Sequence, residues 1–212
     1  MFGCFPNFWS SDETPVSSTF QDTVGMKHRQ DLAQVAKTLR VLGSRLESEN
    51  EASRTSYFQC RSHCETACKT GDIAFASSKT TEMVKFNARV KCIKALLRVF
   101  GETQKIVEDE HHPPQTTEEI EIALEGFVEA ITKTERKLKV AKLATLESIY
   151  KNLDAQEHPM FMKLLSKRPA HAIITEQERE AFNATVKKKA TQELELIQGP
   201  RRVIEKDSTK KD

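Results

Sequence analysis

With 212 residues, 38% hydrophobic and 30% charged, and with only 7% aromatic residues and 7 glycines, the chain suits one domain or at most two, built of elongated helices rather than sheets. Its formal charge of +2 hides a division: residues 1 to 26 carry about three acids and no Lys or Arg, whereas from Lys27 to Lys105 about fifteen cations face eight acids. No apolar run approaches the ~20 residues that cross a bilayer, and no basic-then-apolar start marks a secretory signal, so the five cysteines read as reduced thiols of a cytosolic protein whose membrane contact is peripheral.

Residues 1 to 20 read as a flexible aromatic leader, since they show no helical period. Phe2, Phe5, Phe8 and Trp9 fall within nine residues, a density that is costly unless something buries it. Docking back on the core is one such burial; wedging into a bilayer interface, where Trp and Phe sit well, is the other. Phe2 stands where N-myristoylation needs Gly, although Cys4 is open to acylation.

Residues 21 to 110 read as the core. Leu32, Val35, Leu39, Leu42 and Leu46, then Tyr57, Cys60, Cys64 and Ala67 after a weaker stretch through Ser53, keep the 3,4 spacing of a heptad seam. One helix from about Lys27 to Lys69, roughly 64 Å long, follows. At Gly71 the chain can take the left-handed turn that ends a helix, and Asp72 can cap the next. Met83, Phe86, Val90, Ile93, Leu97, Phe100, Gln104 and Val107 repeat the seam over a second helix, 72 to 108, and so short a connection makes the two antiparallel.

Residues 111 to 116 are a linker, His111-His112-Pro113-Pro114, that no helix can cross. The C-terminal helical region, 117 to 198, opens on the capping pattern Thr116 with Glu119. Its first seam runs Ile120, Leu124, Phe127, Ile131, Leu138, Ala141, Leu146 and Ile149 to an end near Asn152. A short amphipathic piece, Phe161 to Lys167, and a last helix from about Glu176 to Ile197 follow. Residues 199 to 212 are a Lys-rich tail expected to be disordered. The fold class is therefore all-α: a long antiparallel helical hairpin followed by two to three shorter C-terminal helices.

No phosphate-binding glycine loop, zinc-protease helix, nucleophile elbow or paired CxxC knuckle is present, and the seams account for most apolar residues, so the chain reads as no enzyme and as needing no cofactor. Cys60, Cys64 and Cys68 share a helical face with His63 beside them. A thiolate metal site can be drawn there, but cysteines at seam positions act as small hydrophobes, which is the better reading, with no metal. Lys91, Lys94 and Arg98 form a stripe on one flank of the second seam, with Lys85 and Arg89 on the other. A solvated face and a surface for an anionic membrane or acidic partner both fit, at ~1 kcal/mol per cation for a membrane. Nucleic acid fits less well, since no aromatic residues interleave for base stacking.

The stretch Cys68-Lys69-Thr70-Gly71-Asp72-Ile73-Ala74-Phe75-Ala76, continuing through Met83-Val84-Lys85-Phe86-Asn87-Ala88-Arg89, resembles the ESCRT-III family, the charged multivesicular body proteins, as a divergent member matching over about Leu39 to Val107. The aromatic start before Thr14-Pro15 is similar to the membrane-inserting leader of several members. The resemblance implies a cytoplasmic subunit, peripherally associated with endosomal membranes, that polymerises with itself and other ESCRT-III subunits, remodels or severs membrane necks and sorts cargo. It implies an AAA ATPase as a further partner, although Glu193-Leu194-Glu195-Leu196 before Gly199-Pro200 gives no clean match to the docking helix. The acidic block with Glu118, Glu119 and Glu121 is expected to fold back near Lys91, Lys94 and Arg98 and hold the monomer closed. The rival reading is a coiled-coil or BAR-like helical adaptor.

Overall fold

The computed structural model describes residues 17–151, 153, 159–167 and 174–199. Among these every regular element is helical: α1 (Ser17–Thr70), α2 (Ile73–Val107), α3 (Thr117–Val140), the single turn α4 (Glu147–Lys151), α5 (Pro159–Ser166) and α6 (Glu176–Gln198). The leader residues Phe2, Phe5, Phe8 and Trp9, and the tail from Pro200 onward, lie outside the described residues.

α1 begins ten residues before the expected Lys27. Apolar period marks where a helix is buried, not where it starts, and residues 25–27 are helical yet exposed. Its 54 residues make a rod of roughly 80 Å. It ends as the sequence requires: Gly71 has φ 79, its amide donates to the Cys68 carbonyl at 3.4 Å, and the Asp72 amide donates to the Ala67 carbonyl at 3.0 Å. The Asp72 carboxylate then accepts from the Phe75 amide at 3.0 Å and caps α2.

Contacts between α1 and α2 are consistent with antiparallel neighbours. Cys64 meets Thr80, Cys60 meets Glu82, Ser53 meets Arg89 and Arg40 meets Glu108, so positions rise along one helix as they fall along the other. Gly43 makes room for the Phe100 ring, which a Cβ there would meet at 2.5 Å.

The main core lies at the end of the pair away from Gly71. Leu39, Leu42 and Leu46 of α1, Ile93, Leu96 and Phe100 of α2, Ile120, Leu124 and Phe127 of α3, and Phe161 of α5 close one apolar cluster. Phe127, with no exposed surface, touches Phe100 edge-on at 5.6 Å between centroids and Phe161 at 6.2 Å. Toward the turn, α6 takes over the position beside α2, packing Val186 and Ala190 on Val84, and Leu194 and Ile197 near Cys64, Ala67 and Ala76. α3 and α6 thus cover successive lengths of the first two helices.

The expected third helix, continuing to about Asn152, is corrected: α3 stops at Val140. Lys142 takes φ 51, its amide donates to the Lys139 carbonyl, and the Leu143 amide donates to the Leu138 carbonyl at 2.9 Å. This is a glycine-type helix end made without glycine. The bend lets Leu146, Ile149 and Tyr150 turn inward, where Tyr150 donates to the buried Glu135 carboxylate and Arg45 donates to the Ile149 carbonyl at 2.7 Å.

Candidate membrane-facing and assembly surface

Lys91, Lys94 and Arg98 are exposed on α2, one to two turns apart, so they form one cationic stripe. Arg98 pairs with Glu102 at 3.4 Å, but both side chains are well over half exposed, and such a pair holds its cation only weakly. Lys85 is half-buried.

Arg89 does not belong to this surface, and its reading as a membrane-binding cation is corrected. It is 7% exposed and reaches across to α1, donating to Ser53 Oγ at 2.6 Å and to Glu49 Oε2 at 2.7 Å. Desolvating a guanidinium is costly without a charged partner, so the residue is held inside by this pairing. The sequence carried the signal: position 89 is in phase with Phe86 and Ile93, and it faces the weak part of the first seam at Ser53.

The acidic block is placed differently from the expected clasp. Glu121 pairs with Lys163 of α5 at 2.7 Å and with Lys167 at 3.9 Å, rather than with the α2 stripe. Its carboxyl is held below the ordinary value mainly by the Lys163 hydrogen bond. Glu119 accepts from the Gln115 amide at 2.6 Å while its own amide donates to Thr116, so it serves the helix start. Glu118 is exposed in the same turn.

Cys60 and Cys64 are buried in the seam, whereas Cys68 and Cys92 are half-buried. Cys64 is fully buried against Thr80 Oγ1 at 3.0 Å, and Cys60 lies 3.6 Å from Glu82, with burial first and then the Glu82 charge pushing its thiol up. Among the described residues no three His, Cys, Asp or Glu side chains come together as metal ligands would. Likewise, no described helix is long and apolar enough to cross a membrane.

The docking of α6 had no counterpart in the sequence reading. Beyond its apolar contacts, it is tied at its start by Arg136 to Glu178, at 2.8 Å, and by the capping box of Thr175 with Glu178. No family model, no curated protein and no solved structure matches this chain.

Proposed function

We propose that this chain is an ESCRT-III-like subunit that polymerises on membranes, with itself and with other ESCRT-III subunits, for endosomal sorting and membrane remodelling or scission. The observation that carries the reading is the exposed stripe Lys91, Lys94 and Arg98 on a long α1–α2 hairpin whose turn has the family-like sequence Thr70-Gly71-Asp72-Ile73-Ala74. Three cations near an anionic surface contribute about 3 kcal/mol together, a weak grip for one subunit. Arrayed in a polymer, the same stripes bind tightly through effective concentration.

On this reading the protein works at the cytoplasmic face of endosomal membranes and performs no reaction itself. The leader with Phe2, Phe5, Phe8 and Trp9 adds an apolar anchor. Of Glu118, Glu119 and Glu121, it is Glu121 that keeps a restraining role, exerted through Lys163 of α5. Electron micrographs of the purified protein with anionic and with neutral vesicles test the reading. Salt-sensitive filaments on the anionic vesicles support it; a fixed dimer in solution that ignores both kinds of vesicle supports a coiled-coil or BAR-like adaptor instead.

A further inference from the structure

The apolar packing of the α1–α2 pair is interrupted at mid-length. On α1, from Leu46 to Cys60, the side chain buried between them is Ser53, and it is polar. Opposite stands Arg89, bonded to Ser53 and Glu49, with its Nε buried and without a hydrogen-bond partner, as is Asn50 Oδ1 one residue from Glu49. A heptad seam that places a cation and a hydroxyl acceptor inside, with the Glu49 carboxylate half-buried at its edge, has a layer joined by geometry-dependent hydrogen bonds in place of tolerant apolar contact.

The two sides of this layer differ in substance. Toward the α3 side lies the large cluster of Leu, Ile and Phe around Phe127. Toward the turn lie two small clusters, Cys64, Ala67 and Ala76 in one and Val84, Val186 and Ala190 in the other. Among the described residues, Cys60, Met83 and Val90 are buried between these groups but join none of them. α6 leaves a cleft of about 580 Å³ against α1, lined by Arg61, Cys68 and Lys69 with Met83, Glu193 and Leu196. Regions with few buried apolar groups open at lower free energy than the global transition and do so as contiguous units.

We propose that the turn end, residues 54 to 88 together with α6, opens as a unit of its own while the α3 end stays folded, and that the break falls at the Arg89–Glu49–Ser53 layer. The opened unit uncovers Cys60 and Cys64, so the motion gates two thiols together with Ala67 and Ala76 packed beside them. The device is independent of what the protein assembles with.

Hydrogen exchange and thiol labelling on the full chain, both read by mass spectrometry in low urea, test it. Amides within 57–69, 74–84 and 180–196 are expected to exchange through an opening with a shallower urea dependence than amides within 38–46, 93–103 and 124–138. A maleimide is expected to label Cys64 about tenfold faster or more than a cysteine introduced by Leu39→Cys, although both positions are fully buried. In the triple variant Glu49→Leu, Ser53→Ala, Arg89→Met the hydrogen-bonded Arg89–Glu49–Ser53 set is replaced by apolar side chains, and Cys64 labelling slows toward the global opening rate. A single urea slope shared by both sets of amides overturns the two-unit opening, and exchange of the parent protein decides this even if the triple variant does not fold. Unchanged Cys64 labelling in a folded triple variant overturns the placement of the break.

Discussion

Replacing Gly43 by alanine sets two opposed effects against each other. Alanine favours a helix interior over glycine by about 1 kcal/mol, which alone makes the variant more stable. The added Cβ, however, falls 2.5 Å from Phe100 Cζ and 2.6 Å from Cε1. Phe100 is 7% exposed and cannot step aside freely, because Phe127 lies edge-on behind it and is itself fully buried against Phe161. Overpacking of this kind costs ~1–3 kcal/mol, so a central cost of about 2 kcal/mol less the helix gain leaves Gly43→Ala destabilised by about 1 kcal/mol. Gly101 is the control: it too is helical, but a Cβ there meets nothing within 4 Å, so Gly101→Ala gains about 1 kcal/mol. Urea midpoints at equal slope should move in opposite directions for the two variants, and Phe100→Leu should relieve the penalty at position 43. If both alanine variants are stabilised alike, Phe100 does not pack against α1 at Gly43 and the pairing of the first two helices is misplaced.

Lys142→Gly should stabilise the protein by about 1 kcal/mol in a denaturant titration, because a left-handed backbone at φ 51 costs an L-residue that much and glycine little; a loss of stability would show that α3 does not end there. Acid should loosen the outer helices first. The Glu178 carboxyl is held below its ordinary 4.5 mainly by its bond to Arg136, and Glu121 by its bond to Lys163, so their contributions are present at neutral pH and disappear as pH falls from 4.5 through the lowered folded values. A fluorophore pair spanning α3 and α6 should report separation in that window, and no change down to pH 3 would refute it. The buried thiols work in the other direction: Cys60, raised above 9.0 by burial and then by Glu82, gives stability that is present below 9.0 and lost as alkali rises past it, readable as alkaline loss of helicity at the turn end that Cys60→Ala removes.

Much of the fold was legible because its signals are local. The turn at Gly71 and Asp72 is written in two residues whose backbone and side-chain chemistry leave few alternatives, and the seam residues Leu39, Leu42, Ile93 and Phe100 carry a period that only a helix satisfies. The end of α3 was not legible, since its left-handed position is occupied by Lys142 and the bend is held by Leu146, Ile149 and Tyr150 reaching a core made by other helices. Arg89 was misplaced for a related reason. A cation in seam phase reads as surface until its partners Glu49 and Ser53, some 40 residues away, are brought to it. The docking of α6 is weakly patterned because that helix is largely exposed, and an exposed helix has no need of a sharp apolar face.

The most direct measurement of the central proposal is co-sedimentation of the full chain with anionic vesicles, comparing the parent with Lys91→Glu, Lys94→Glu, Arg98→Glu. These three positions are exposed and outside the buried layer, so the variant should keep its helicity and melting behaviour. The parent is expected to sediment with anionic but not neutral vesicles, its binding to fall with salt, and the triple variant to lose at least about tenfold in affinity, as the removal of roughly 3 kcal/mol of attraction and the addition of repulsion require. A folded triple variant that binds as the parent does, or a parent that binds neither kind of vesicle, would contradict it.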